Sequence, residues 1–148
     1  MRETKFRGKR KDIDWKYGYL TIIEKTHEPN VIAIKPLDEQ WITYGVDPES
    51  VGEYTGLKDK NGKEIYEGDV VQYMLCGSIP LSLQRGVVSF GEFDIKDDGI
   101  PLPYLGWFVK DEYEKQVEAG LSFGTESWEV IGNIYENPEL LEKAEPKL

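Results

Sequence analysis

Val51-Gly52-Glu53-Tyr54-Thr55-Gly56-Leu57-Lys58-Asp59-Lys60-Asn61-Gly62-Lys63-Glu64-Ile65-Tyr66-Glu67-Gly68-Asp69-Val70-Val71 is the stretch on which the fold turns. Aromatic and β-branched residues flank two tight clusters of Asp, Asn and Gly, the pattern of strands joined by short turns. Asn61-Gly62 is the strongest local signal, because a two-residue type I′ turn needs positive φ at both central positions. A hairpin is therefore expected there. Glu67-Gly68-Asp69 reads as a second turn, with Gly68 free to take positive φ and Asp69 able to accept from nearby backbone N–H groups.

Working outward, the same alternation continues on both sides. Strands are expected over Tyr17–Ile23, Val31–Lys35, Trp41–Tyr44, Gly52–Thr55, Asp69–Leu75, Arg85–Phe90, Gly106–Lys110 and Trp128–Tyr135. Short strands between Gly, Pro, Asn and Asp punctuation indicate an antiparallel sandwich or small barrel. Leu75–Leu83 and Asp94–Leu105 read as loops, the second long enough to be functional. Asp111–Ala119 has room for one to two helical turns. Near the C-terminus Asn137 suits an N-cap, Pro138 a first helical position and Glu139 the positive end of the helix dipole, so a short terminal helix is expected. Ala144–Leu148 reads as a frayed tail.

The chain has 148 residues, 39% hydrophobic and 31% charged, with a mean hydropathy of -0.52. Those values fit one domain, residues 1–143, with enough apolar side chains for a core. No apolar run approaches the length that spans a bilayer, and Met1–Lys11 is charged with no hydrophobic segment behind it. Neither a membrane helix nor a signal peptide is read.

Net charge is -10, which disfavours a general grip on phosphate backbones. The charge is unevenly spread. Residues 1–16 hold seven basic side chains (Arg2, Lys5, Arg7, Lys9, Arg10, Lys11, Lys16) against three acids (Glu3, Asp12, Asp14), a local +4 against -14 elsewhere. Such a segment can balance the acidic body, reach a nucleic acid, or contact an acidic protein.

Catalytic signals are sparse. His27 lies in the turn-like Lys25–Asn30, where a solvated side chain is the ordinary reading. Cys76 is the single cysteine, so no internal disulfide and no Cys/His zinc cluster can form, in keeping with a reducing cytoplasm. Asp59, Glu64, Glu67 and Asp69 fall near one hairpin and would suit a hard cation if they converged. Strand alternation scatters them, and a solvated acidic face is the plainer reading. No phosphate-cradling glycine loop and no GxSxG occurs. The reading is a protein without catalytic residues, cofactor or metal. Most of the four Trp and nine Tyr are expected in the core, with Trp107-Phe108 and Trp128 alternating inward and outward and leaving some rings for docking.

Lys5-Phe6-Arg7-Gly8-Lys9, Tyr17-Gly18-Tyr19-Leu20, the long stretch Val51–Val71 and Trp128-Glu129-Val130-Ile131-Gly132-Asn133-Ile134-Tyr135-Glu136-Asn137-Pro138-Glu139-Leu140-Leu141 together resemble the YopX family of phage and prophage proteins. The resemblance is silent over Glu24–Gln40 and Leu75–Leu121. It implies an all-β fold with an SH3-like small barrel centred on about residues 51–136, additional antiparallel strands and the short C-terminal helix. It implies a phage or prophage gene, host cytoplasm as location, and no established activity or cofactor to carry over. The motif residues Asn61, Gly62, Gly68, Asp69, Asn137 and Pro138 are thus expected to be structural. Function is expected to lie in binding a protein, a second copy included, through strand edges or loops. The alternative is a nucleic-acid-associated module using Arg2, Lys5, Arg7, Lys9, Arg10 and Lys11.

Overall fold

The computed structural model of the chain describes residues 4–75, 82–97, 99–110, 116–118 and 128–142. The described elements are eleven strands in two antiparallel sheets and two short 3₁₀ turns. The chain forms two compact units, Met1–Gly56 and Leu57–Leu148.

The first unit contains β1 (Phe6–Lys9), β2 (Trp15–Ile23), β3 (Val31–Pro36), β4 (Tyr44–Gly45), a 3₁₀ turn at Pro48–Ser50 and most of β5 (Gly52–Lys58). Its strands run in the spatial order β4-β3-β2-β1-β5, and β5 continues past Gly56 to neighbour β6 (Glu64–Tyr66). The basic N-terminal segment is not a loose arm. Phe6–Lys9 is a central strand, with Arg7 facing Tyr17 on one side and Gly52 on the other. Its charged alternation hides this from a hydrophobicity pattern, since rings rather than aliphatic groups cover its cations. Trp41–Tyr44, expected as a strand, shrinks to Tyr44–Gly45, and Trp41 stands 93% exposed before it.

The second unit holds β6, β7 (Asp69–Leu75), β8 (Ser82–Asp97), β9 (Ile100–Lys110), β10 (Gln116–Glu118), β11 (Glu129–Asn133) and a 3₁₀ turn at Pro138–Leu141. Its five-stranded sheet has the order β10-β9-β8-β7-β11. Ile65, Val71, Tyr73, Val88, Val109, Trp128 and Val130 form its core, with Leu57 and Trp107 packed against them. Trp128 lies stacked on Tyr73 with ring centroids 4.8 Å apart.

Several expectations are corrected here. Asp94–Leu105 is no loop but the far part of the β8–β9 hairpin, registered without interruption from Val87↔Lys110 to Asp97↔Ile100. Pro101 and Pro103 mimicked loop punctuation. They sit opposite Lys96 and Asp94, two residues apart, so their missing N–H groups both fall on the outer rim of β9, where a strand tolerates proline. Residues 116–118 of the expected helix are strand β10, and the rest of that segment lies outside the described residues, as do 76–81 of the other expected loop. Both sheets are antiparallel, and among the described residues neither closes on itself, so no SH3-like barrel is seen.

The turns also differ in detail. Gly62 has φ 79 while Asn61 is not among the positive-φ residues. Gly62 N donates to Asp59 O at 3.0 Å and Asp59 N to Lys63 O at 2.8 Å. The loop is therefore three residues, Lys60-Asn61-Gly62, closed by a left-handed glycine, in place of a type I′ pair. At the C-terminus Pro138 opens the 3₁₀ turn, but Asn137 makes no side-chain cap. Its Oδ1 accepts instead from Asn133 N at 3.3 Å.

Candidate functional site

The quoted hairpin does structural work. Asp59 is only 6% exposed, and its Oδ1 accepts from Asn61 N at 2.8 Å and Lys63 N at 2.9 Å. Its Oδ2 accepts from Val130 N at 3.0 Å, and Lys60 N donates to Trp128 O at 2.9 Å. Burial pushes the Asp59 carboxyl up, but the N–H groups of Val130, Lys63 and Asn61 and the Lys63 charge together hold it below the ordinary carboxylate value. Asp69 is buried as well, and its Oδ2 accepts from Tyr66 N at 2.8 Å beside Gly68, whose φ is 87. The solvated-face reading of these two acids is therefore wrong. Their lone pairs are aimed at backbone, and among the described residues no group of three or more His, Cys, Asp or Glu is placed to hold a metal. The missed signal was an Asp two positions before Asn-Gly, an Asx-turn pattern.

His27 is exposed in its turn, and Cys76 lies outside the described residues. No described helix is long and apolar enough to cross a membrane.

Of the basic residues proposed for phosphate contact, Arg2 lies outside the described residues, and the others separate onto two faces of the first unit's sheet. Residues directly opposed across antiparallel strands share a face. Arg7↔Tyr17, Lys9↔Trp15 and Tyr19↔Lys35 therefore lie on one side. The Arg7 guanidinium sits 4.8 Å above the Trp15 ring, and Lys5 Nζ 4.9 Å above Tyr54. The opposite side carries Gly18↔Phe6, Leu20↔Ile34, Ile22↔Ile32 and Ile34↔Tyr44. There Arg10 and Lys16 lie over the Tyr44 ring at 4.8 and 4.1 Å. Arg10 also grips Asp14 through two parallel bonds, Nη2 to Oδ2 at 2.8 Å being one, with Lys16 Nζ 3.5 Å from Oδ2. The Arg10 hydrogen bonds hold the Asp14 carboxyl below its usual value. Tyr44 donates to Glu39 Oε2 at 2.7 Å, which raises the phenol. Lys11 is exposed in the β1–β2 turn.

The second unit offers a different surface. β7 registers with β8 only as far as Val87, and β10 with β9 only at Val109 and Lys110. From Ser89↔Phe108 to Asp97↔Ile100 the hairpin is thus a two-stranded ribbon among the described residues. Phe93, stacked on Tyr104 at 6.0 Å and close to Phe108 at 5.7 Å, lies on one face of it. Leu102, Tyr104 and Ile100 on that face are exposed, as are Leu105 and Phe90 on the other. Trp107 packs edge-on against Phe90 at 5.0 Å; of the rings expected to alternate, Trp107 and Phe108 are half-buried and Trp128 is buried, and the exposed rings here are Phe90 and Tyr104.

Comparison with known proteins adds two findings. The crystal structure of protein EF1440 from Enterococcus faecalis is similar, at 22% identity and a TM-score of 0.47, over 96% of this chain and all of that one. Among curated proteins none matches. The family model described as YopX protein matches residues 5–142, nearly the whole sequence and all the quoted motifs, so this chain belongs to the YopX family.

Proposed function

We propose that this chain is a non-catalytic phage or prophage accessory protein of the host cytoplasm that works by binding another protein, a second copy of itself first. The observation that carries the reading is the β8–β9 ribbon. A two-stranded hairpin is marginal in water unless its apolar side is covered. Here Ile100, Leu102 and Tyr104 lie exposed on one face of it, a concentration of apolar surface of the kind that protein interfaces cover. The structural employment of Asp59 and Asp69 fits a protein whose motif residues serve the fold. The barrel implied by the resemblance is not needed for this role.

Sedimentation velocity across a range of protein concentrations tests it. Association that weakens at least tenfold in Leu102→Glu and Ile100→Asp supports the proposal, because each places a charge where apolar contact is required. A monomer at the highest concentration reached, or association indifferent to both substitutions, overturns self-association through the ribbon.

A further inference from the structure

The strand edges of the second unit's sheet are not treated alike, and we infer from the difference that the edge of β8 from Phe90 onward takes up an extended basic segment of a partner protein as an added strand. This edge is a different surface of the ribbon from the face bearing Leu102 and Tyr104, and the inference does not require that face to self-associate.

An exposed edge is a template for a further strand, and folded chains ordinarily blunt it. Along β11 the hairpin at residues 59–63 does so: Asp59 Oδ2 accepts from Val130 N at 3.0 Å, and Lys60 N donates to Trp128 O at 2.9 Å. At the far end of the sheet β10 is only three residues long. The outer rim of β9 carries Pro101 and Pro103. β8 differs from all of these. Its register with β7 ends at Val87, and Val88 O accepts from Gly68 N at 2.9 Å on that same side. A residue's N–H and C=O point the same way in a strand and successive residues alternate, so Phe90, Glu92, Asp94 and Lys96 turn theirs to that side too. No proline interrupts Ser89–Asp97, and no described strand lies alongside it there.

Charge selects the occupant. Residues 90–97 hold Glu92, Asp94 and Asp97 against a single cation, Lys96. A second copy pairing here would double that excess of acid, and like charges opposed across strands are destabilising. A basic strand removes the conflict. Directly opposed residues share a face, so cations placed opposite Phe90, Glu92 and Asp94 would stand on the side where all three are exposed. The two carboxylates offer opposite charge there, and the Phe90 ring offers a π-face to an ammonium or guanidinium group. The residues between those cations would fall opposite Gly91 and Phe93, on the side that also carries Tyr104 and Phe108, where apolar side chains fit. The recognised segment therefore alternates lysine or arginine with apolar residues, and its backbone supplies the hydrogen bonds that hold it.

The test is fluorescence anisotropy of a labelled peptide of about nine residues, an ordinary strand length, alternating lysine and valine and titrated with the full-length protein. Sedimentation velocity on the same samples reads self-association separately. Saturable binding is expected, and none for a peptide alternating glutamate and valine. Methylating the lysine backbone nitrogens, which face β8, should weaken binding roughly tenfold or more, the loss of two ordinary hydrogen bonds. Methylating the valine nitrogens, which point away, should cost far less. Glu92→Gln should weaken binding about two- to fivefold and Glu92→Pro about tenfold or more, since proline also deletes an edge donor. The N–H of residue 92 faces away from β9, so the hairpin persists in both variants, which circular dichroism verifies. The methylated peptides probe the edge with no variant at all. No saturable binding of the lysine and valine peptide, equal binding of its glutamate counterpart, or binding indifferent to lysine-nitrogen methylation would each overturn the inference. Self-association lost in Glu92→Pro but kept in Leu102→Glu would hand the edge to a second copy and overturn it likewise.

Discussion

Asp59 Oδ2 accepts the backbone N–H of Val130 at 3.0 Å, joining residues 71 apart in sequence. The same carboxylate organises its own turn through Asn61 and Lys63. One side chain thus shapes a hairpin and fastens it to the start of β11.

Removing that carboxylate should be costly, since Asp59→Ala leaves three backbone donors without their acceptor. A loss of about 2–4 kcal/mol is expected from urea unfolding, given the greater strength of hydrogen bonds to charged acceptors. Asp59→Asn should recover only part of it, because the amide nitrogen cannot accept. Amide exchange at Val130 should quicken in both variants.

Acid should produce a related effect. The Asp59 carboxyl is lowered in the folded protein, so its contribution is fully present above the unfolded value of roughly 4 and is lost as pH falls through the folded one. Thermal melts at neutral pH should separate the wild type from Asp59→Asn, and the gap should narrow in acid. A gap that widens below about pH 4 would contradict the direction of the shift.

Two glycines should respond differently to substitution. At Gly62, with φ 79, an added Cβ meets nothing within 4 Å, so Gly62→Val should cost roughly 1–2 kcal/mol through backbone conformation alone. At Gly18 a Cβ would fall 2.1 Å from the Lys35 carbonyl oxygen. Gly18→Ala must push β2 from β3, and a loss of about 3 kcal/mol or more is expected. Comparing the two melting temperatures checks the ordering.

Trp128 is 3% exposed against Tyr73. Trp128→Ala should cost about 3–5 kcal/mol, the range for deleting a large buried ring, while Trp128→Phe should cost less. Near-ultraviolet circular dichroism should report loss of the stacked pair in both.

Much of this fold was legible in residues 51–71, where Gly62 and Gly68 do take positive φ and β7 spans the expected Asp69–Leu75. β2 and β3 were equally clear from their Tyr, Ile and Val content. β1 was not, because Lys5, Arg7 and Lys9 read as a basic segment that balances the acidic body, whereas rings distant in sequence or across a turn lie against Lys5 and Arg7. The ribbon was missed since Pro101, Pro103 and Gly99 look the same in a loop as on a strand rim and at a hairpin tip. The role of Asp59 depends on Val130, and no local pattern specifies a contact across 71 residues. The two sheet faces were hidden for a similar reason: alternation along β2 shows which rings go together, but only the register with β1 and β3 shows that Arg7, Lys9 and Lys35 join them.

Pro101 and Pro103 withhold donors from successive outward positions of β9. A growing stack of chains needs both margins of each added hairpin to bond, and this margin is weakened by two missing donors. A strand added along that margin would lack two donors, whereas β8 over residues 89–97 has no proline and keeps its full set. The imino acids that disguised the ribbon as a loop thus make its two margins unequal.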